Sequence, residues 1–210
     1  MCTRYYMEMS PELRPIVEKA RASSLTPRMT DTLGKALKTE GEIRPTDMVP
    51  VIAPDRSGGR SVFPMIWGYS IPGLARPVVN TRVETAAQKS VWKEGWNSHR
   101  CIIPASYYFE WEHSPTPSGQ MKTGTKYAIQ PRGASMTWLA GIYRIEEYRG
   151  LKYPVFAVLT RDACEALRKI HDRMPVILPE ELVDSWIHPD SQPKELAGQA
   201  LSDMLYEKAR

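Results

Sequence analysis

The stretch from Cys101 to Trp111 is mostly apolar and aromatic, and it sets the strongest constraint on how this chain folds. Such a run predicts one buried β-strand, and a buried strand needs neighbouring strands to satisfy its backbone hydrogen bonds. Further short β-rich segments bounded by turn residues supply those neighbours. They are predicted over residues 48–52, 61–69, 78–84, 126–130, 137–145, 153–160 and 174–178. Residues 48–69 predict a hairpin, so the sheet is expected to be mostly antiparallel.

Helical patterns alternate with these strands and place helices at the periphery. Ser10, Pro11 and Glu12 predict a helix start, with the helix running to about residue 23. Other helices are predicted over 29–39, 86–97, 162–169, 179–187 and 193–208, and a long loop over 114–125. Trp92 and Trp96 are expected to be core residues. The prediction is a single α+β domain over residues 1–210, with a mostly antiparallel, distorted β-barrel or sheet core and peripheral helices.

Composition narrows the class of protein. The 210 residues are 42% apolar, with six tryptophans and ten tyrosines, which is enough for a real core. No segment approaches the roughly 18 apolar residues that span a bilayer, so we expect a soluble, cytoplasmic protein without a membrane partner. Three widely spaced cysteines fit a reducing compartment and form no metal-binding pattern. A net charge of +4 permits a polyanionic partner without requiring one.

Cys2 is the first candidate for chemistry. If Met1 is removed, Cys2 carries a free amine and a thiol on adjacent carbons, with ordinary pKa values of about 7.7–8.0 and about 8.5. This 1,2-aminothiol can condense with an aldehyde, first as an imine and then as a five-membered thiazolidine, which no internal cysteine can do. The alternative is a small residue that only permits routine methionine removal.

Three other positions carry polar groups that suit a site. Glu110 follows an aromatic run and is a candidate for proton transfer, although a strand-end glutamate can simply face water. His171 lies at a helix-to-strand junction, where a histidine is also often structural. Asn80 and Arg82 alternate along a strand and would project from one face, and an arginine there suits a phosphate or a carboxylate. The alternative is a solvated face with an Arg82–Glu84 ion pair.

Taken together, these segments resemble the SOS-response-associated peptidase (SRAP) family. The matching segments occur in the family's order and spread across most of the chain. They are Met1-Cys2-Thr3-Arg4, Trp67-Gly68-Tyr69, Asn80-Thr81-Arg82-Val83-Glu84-Thr85, Arg100-Cys101-Ile102-Ile103-Pro104, Phe109-Glu110-Trp111 and Ile170-His171-Asp172-Arg173-Met174-Pro175-Val176.

The resemblance implies a nucleoid-associated protein that binds single-stranded DNA and forms a covalent bond with abasic sites, in a lyase-like reaction. Met1 would be removed, autocatalytically in the family pattern, and Cys2 would attack the ring-opened sugar aldehyde. No metal or organic cofactor is required, and we expect a monomer. By this resemblance, the site residues divide into two groups. Catalytic roles are implied for Cys2, Asn80, Glu110 and His171, and DNA contacts for Arg4, Trp67, Arg82 and Trp111, with the tryptophans either supporting the floor of the site or stacking on DNA.

The chain departs from the family pattern in three places. Thr3 replaces the usual glycine after the cysteine, which could restrict the backbone there. Glu42-Ile43-Arg44-Pro45 stands where the family commonly has an asparagine before an Ala-Pro or Arg-Pro step. The family's usual final segment is not recognisable after Tyr206.

Two other functions fit the same residues. Cys2, activated by His171, could act as a cysteine peptidase or amidohydrolase through an acyl-enzyme. Alternatively, Arg4, Arg82 and Trp67 could bind single strands while Cys2 is inert. Of the three functions, only the covalent link to abasic sites requires a free amine at Cys2.

Overall fold

The fold was analysed in a computed structural model, which describes residues 2–115 and 121–209. Thirteen strands and six α-helices lie in the described residues, together with two short 3₁₀ helices at Glu165–Leu167 and Glu180–Leu182. The strands are β1 Arg4–Met7, β2 Gly41–Ile43, β3 Met48–Pro54, β4 Arg60–Trp67, β5 Asn80–Arg82, β6 Arg100–Ala105, β7 Tyr107–Pro115, β8 Met121–Pro131, β9 Thr137–Tyr148, β10 Leu151–Asp162, β11 Arg173–Pro175, β12 Ile177–Leu178 and β13 Met204–Lys208. The helices are α1 Leu13–Ala22, α2 Leu25–Leu33, α3 Val83–Ala86, α4 Ser90–Ser98, α5 Val183–Ile187 and α6 Pro193–Gly198.

Five strands close into a barrel, in the order β10-β4-β3-β6-β9 and back to β10. Every pairing around the ring is antiparallel except the short parallel contact between β4 and β10. Gly141 permits close packing inside this ring, because an added Cβ would lie 2.6 Å from Ile103 Cδ1 and 3.0 Å from the Ala157 carbonyl oxygen. The prediction of an α+β fold with a mostly antiparallel barrel or sheet core is confirmed.

A second sheet, in the order β13-β8-β7-β1-β2, is antiparallel throughout and holds the N-terminus. Strand β1 lies between β7 and β2, with Tyr5 opposite Tyr108 on one side and Ile43 on the other. These three side chains are fully or almost fully buried and define the inner face of the sheet. Because side chains alternate along a strand, Arg4, Tyr6 and their neighbours of the same parity lie on the outer face.

Arg100 fastens helices to the barrel from within the core. Its guanidinium is fully buried and donates to the carbonyl oxygens of Trp96, Asn97, Trp186, His188 and Pro189 and to the Ser191 hydroxyl. A buried cation needs such complete hydrogen bonding, because desolvating an unsatisfied charge is costly. Trp92 and Trp96 are buried in the core on α4, as predicted.

Several sequence predictions about local structure are wrong. The run from Cys101 to Trp111 is two strands in two different sheets, which divide at Ser106, where the backbone N–H donates to the Tyr6 carbonyl oxygen. The helix expected over 29–39 covers Leu25–Leu33 instead, because Gly34 adopts the left-handed conformation that ends it.

Two further differences lie near the β7–β8 hairpin. The loop expected over 114–125 is largely replaced by the ends of β7 and β8, while residues 116–120 lie outside the described residues. The C-terminal helix ends at Gly198, and Met204–Lys208 forms a strand that pairs with β8. In the described ranges, no helix has the length and apolar character needed to cross a membrane.

Candidate active site

Cys2 is fully buried and lies directly before β1, an inner strand of the second sheet. Its thiol lies 3.6 Å from the Arg4 carbonyl oxygen, to which it donates a hydrogen bond. Burial raises the pKa of the Cys2 thiol well above its ordinary value, and the nearby Glu110 carboxylate raises this pKa further. The sulfur is therefore held as the neutral thiol, and a nucleophilic attack must include removal of its proton.

Asn80 fixes the backbone of Cys2. It begins β5, which pairs in parallel with β10, and its side chain is about nine-tenths buried. Asn80 Nδ2 donates to the Cys2 carbonyl oxygen at 2.7 Å, across 78 positions of sequence. Asn80 Oδ1 is buried and accepts no hydrogen bond from the residues that the structure describes. The predicted site residue Asn80 thus lies beside Cys2 and has acceptor capacity left.

Glu110 reaches the same site from β7. It is two residues after the buried Tyr108, so the alternation of the strand turns both side chains to the inner face. Its side chain is 3% exposed, and its Oε1 accepts from the Trp111 backbone N–H at 3.2 Å. The Glu110 carboxylate acts electrostatically on both the Cys2 thiol and the His171 imidazole. Glu110 is therefore the charged group that influences the pKa of both Cys2 and His171.

His171 follows the 3₁₀ turn at Glu165–Leu167, and its side chain is 15% exposed. The Arg173 backbone N–H donates to His171 Nδ1 at 2.9 Å, which places the proton of the neutral ring on Nε2. Asp172 Oδ1 lies 2.7 Å from the same Nδ1 and can accept from it when the ring is protonated. Burial lowers the pKa of His171, whereas the Glu110 carboxylate acts in the opposite direction.

Arg173 connects the histidine segment to α3 and β10, a link that sequence analysis missed. Its guanidinium is 7% exposed and makes a bidentate ion pair with Glu84 at 2.8 and 2.9 Å. It also contacts Asp162 and donates to the Thr160 carbonyl oxygen. Glu84 therefore pairs with Arg173, and the Arg82–Glu84 pair weighed from the sequence does not form. The sequence held only a weak signal of this ion pair, because Glu84 and Arg173 both lie in segments that also carry predicted site residues.

The two predicted phosphate-binding arginines differ in their surroundings. Arg82 is exposed at the end of β5 and makes no ion pair with any residue in the described ranges. Arg4 is about one-third exposed and contacts Glu42 through Nε at 3.1 Å. Both lie within two residues of a site residue, Arg4 of Cys2 and Arg82 of Asn80.

The two predicted tryptophans also differ. Trp67 is fully buried, packs on Tyr5 and Phe156, and donates from Nε1 to the Val79 carbonyl oxygen at 3.0 Å. Of its two predicted roles, support of the floor agrees with this position and stacking on DNA does not, because no ring surface reaches solvent. Trp111 is half-buried beside Glu110 and keeps accessible surface.

The Thr3 substitution creates no backbone conflict. A glycine is needed where φ is positive, and in residues 2–115 and 121–209 the non-glycine residues with positive φ are Thr46 and Arg149. Thr3 therefore adopts a backbone conformation that is open to any residue, without strain. No cluster of three or more histidine, cysteine, aspartate or glutamate side chains suited to a metal ion occurs in the described residues.

Comparisons with known proteins point to one family. The model of the SOS response associated peptidase (SRAP) family matches residues 1–209. The abasic site processing protein YoaM of Bacillus subtilis is 30% identical over 156 residues, which are 70% of this chain and 65% of that protein. The abasic site processing protein YedK of Escherichia coli is 32% identical over 144 residues, 66% of this chain and 60% of that protein. The matched region thus spans somewhat under two thirds of these two relatives.

Solved structures share the fold. A Bacteroides thetaiotaomicron protein superposes with a TM-score of 0.74 at 20% identity, covering 100% of this chain and 92% of its own. A phage-related protein of Bordetella bronchiseptica gives a TM-score of 0.71 at 22% identity, with coverages of 100% and 94%.

Proposed function

This chain belongs to the SOS response associated peptidase (SRAP) family, and from that premise we propose that it binds single-stranded DNA and links Cys2 covalently to abasic sites. One observation carries the proposal. The residue that becomes the N-terminus when Met1 is removed is held among Asn80, Glu110 and His171, which come from three distant segments. The names of its relatives, which are abasic site processing proteins, support the same substrate.

The reaction begins with removal of Met1. Hydrolysis of the Met1–Cys2 peptide bond gives the methionine a carboxylate and leaves a free amine on Cys2. Glu110 is placed to move the proton that this step requires, because its carboxylate acts on the neighbouring Cys2 thiol. Asn80 holds the Cys2 carbonyl and so fixes the direction of the new terminus.

Opening of the abasic sugar is the task of His171. The closed ring is a hemiacetal, and a base must take the proton of its hydroxyl while the ring oxygen is protonated. Because burial lowers the pKa of His171, the ring is neutral at pH 7 and can accept a proton. The Asp172 carboxylate, 2.7 Å from Nδ1, stabilises the imidazolium that forms.

Condensation then releases one water. The Cys2 amine adds to the aldehyde carbon to give a carbinolamine, and Glu110 passes a proton from the nitrogen of this adduct to its hydroxyl, which leaves as water and gives an imine. The Cys2 sulfur attacks the imine carbon, its proton passes to the Glu110 carboxylate, and the imine nitrogen gains a proton as the thiazolidine closes. Because the raised pKa keeps the sulfur protonated, the attack needs a proton acceptor, and the neighbouring Glu110 carboxylate can serve as one.

A denaturing gel tests the proposal. The protein is incubated with single-stranded DNA that carries one abasic site, and an adduct stable to heat and detergent is expected. Cys2→Ala and a form with an uncleaved N-terminal tag should give none, because thiol and amine are both required. An adduct formed by the tagged form would contradict the aminothiol mechanism. A peptidase would instead form a DNA-independent acyl-enzyme, and a simple binder would give no adduct.

A further inference from the structure

Three cations share one carboxylate beside the proposed active site. Glu42 Oε1 accepts from Arg4 Nε at 3.1 Å and from Arg44 Nε at 3.0 Å, and Glu42 Oε2 accepts from Lys126 Nζ at 2.8 Å. The hydrogen bond from Lys126 lowers the pKa of Glu42, and that from Arg44 lowers it further, so Glu42 is ionised at pH 7. These four side chains, called the Glu42 cluster below, therefore carry a net charge of about +2.

The hydrogen-bonding capacity of the Glu42 cluster is only partly used. Arg4 and Arg44 contact Glu42 through Nε alone, and their terminal nitrogens make no hydrogen bond to other residues in the described ranges. Arg44 is 62% exposed and Arg4 is 31% exposed, so these donors are open to a ligand. Glu42 thus holds the two guanidinium groups in place and leaves free the paired N–H groups that bind phosphate in bidentate fashion.

An aromatic surface adjoins the Glu42 cluster on the outer face of the second sheet. Lys126 Nζ lies 3.6 Å from the centroid of the Phe109 ring and 5.5 Å from that of the Trp111 ring. Trp111 directly follows Glu110 but projects from the opposite face of β7, and the Glu42 cluster adjoins the proposed active site through Arg4, two residues after Cys2. At its far end the aromatic surface reaches Tyr107, whose pKa is raised by partial burial, then by Tyr6 and the carboxylates Glu8 and Glu207. Those carboxylates would repel a polyanion.

We propose that the Glu42 cluster is a subsite for the phosphodiester groups on one side of the abasic site. The proposal rests on the proposed function and extends it, because it gives the bound strand a direction: one arm passes over Trp111 to Arg44 and Lys126, and the other arm does not touch them. Glu42 stands in the segment where the family commonly has an asparagine, whereas Arg44-Pro45 keeps the family's Arg-Pro step. The carboxylate that holds the two guanidinium groups is therefore a departure of this chain from the family pattern.

The test compares two oligonucleotides, one with its abasic site close to the 5′ end and one with it close to the 3′ end. Binding is measured as a function of salt in a Cys2→Ala background, so that adduct formation does not obscure the equilibrium. Arg44→Ala and Lys126→Ala should each flatten the logarithmic salt dependence by about 0.7 for one oligonucleotide and leave the other unchanged. Arg44 is mostly exposed, so its variant should keep the fold even if the Lys126 variant does not.

Lys152→Ala is the matched control. It removes the same charge from an exposed position on β10, six residues before the Val158 that pairs with Asn80, or roughly 20 Å along the strand. It should change neither slope. Equal losses for both oligonucleotides, or no loss in either cluster variant, would overturn the subsite. A normal wild-type adduct with unchanged slopes would reject the subsite alone, whereas absence of any wild-type adduct counts against the proposed function.

Discussion

Replacing Asn80 with alanine removes the hydrogen bond that holds the N-terminal segment. The Cys2 carbonyl oxygen, buried and bonded to Asn80 Nδ2 at 2.7 Å, would lose that partner. Leaving a buried acceptor unsatisfied costs about 1–3 kcal/mol. For a chain of this length each kcal/mol lowers Tm by roughly 2–4 °C. We therefore expect Asn80→Ala to lower Tm by roughly 2–12 °C and to slow single-turnover crosslinking at least tenfold, because the terminus loses its orientation.

The aspartate variant separates hydrogen bonding from packing at this position. Asn80→Asp keeps the shape of the side chain but places an oxygen against the Cys2 carbonyl oxygen, and it adds a negative charge near Glu110. Electrostatics therefore predicts that Asn80→Asp is less stable and slower than Asn80→Ala. Asn97→Ala, at an exposed position of α4, should change stability by less than about 0.5 kcal/mol.

Thermal unfolding and single-turnover crosslinking, run in parallel on all three variants, give the answer. Mass spectrometry of each N-terminus ensures that a failure to remove Met1 is not mistaken for slow crosslinking. If Asn80→Asp proves more stable than Asn80→Ala, the side chain acts by filling space. If Asn80→Ala unfolds within 1 °C of the wild type, the reasoning from the buried carbonyl is refuted, since that estimate starts at about 1 kcal/mol.

Four further changes test other parts of the structure. Because burial lowers the pKa of His171, the crosslinking rate should fall only as pH drops below about 6.5, and this inflection should be absent from the pH profile of His171→Ala. Glu110→Gln keeps the shape but cannot transfer a proton, so single-turnover crosslinking should slow by about 10²–10⁴-fold, and a loss below tenfold would mean that water replaces the carboxyl. Arg82→Glu should weaken binding of intact single-stranded DNA more than Arg82→Ala does, and equal affinities in a binding titration would place Arg82 away from the strand. Gly141→Ala should destabilise the barrel by about 1–3 kcal/mol in denaturant unfolding, whereas Gly198→Ala, with open space around it, should not.

Local patterns in the sequence identified most strands and marked Glu110 as a candidate site residue, but they left open whether its side chain faces water. Tyr108 and Glu110 are two residues apart, so a strand that buries one turns the other to the same side. The sequence did not reveal that the apolar run divides at Ser106, because both resulting strands are apolar and only the partner of each differs. Periodicity reports how a segment is buried, and it carries no information about which sheet receives it.

The sequence also did not predict contacts between residues that lie far apart in the chain. Glu84 and Arg173 are 89 positions apart and no local spacing relates them, yet their ion pair joins the two segments that carry Asn80 and His171. The burial of Trp67 was likewise hidden, since a tryptophan beside a glycine suits a stacking surface as well as a core. The lowered pKa of His171 likewise comes from its burial by distant segments, which no local spacing reveals.

The position of Cys2 between distant partners also has a consequence during synthesis. A ribosome adds about 5–20 residues per second, so roughly 10–30 s separate the emergence of Cys2 from that of His171. Until β7 has been made, β1 has no strand to pair with on that side, and the nascent terminus is open to processing enzymes and to stray aldehydes. Docking of β1 then removes the cysteine from solvent. The reactive end of the chain thus stays unprotected at least until β7, Tyr107–Pro115, has been translated.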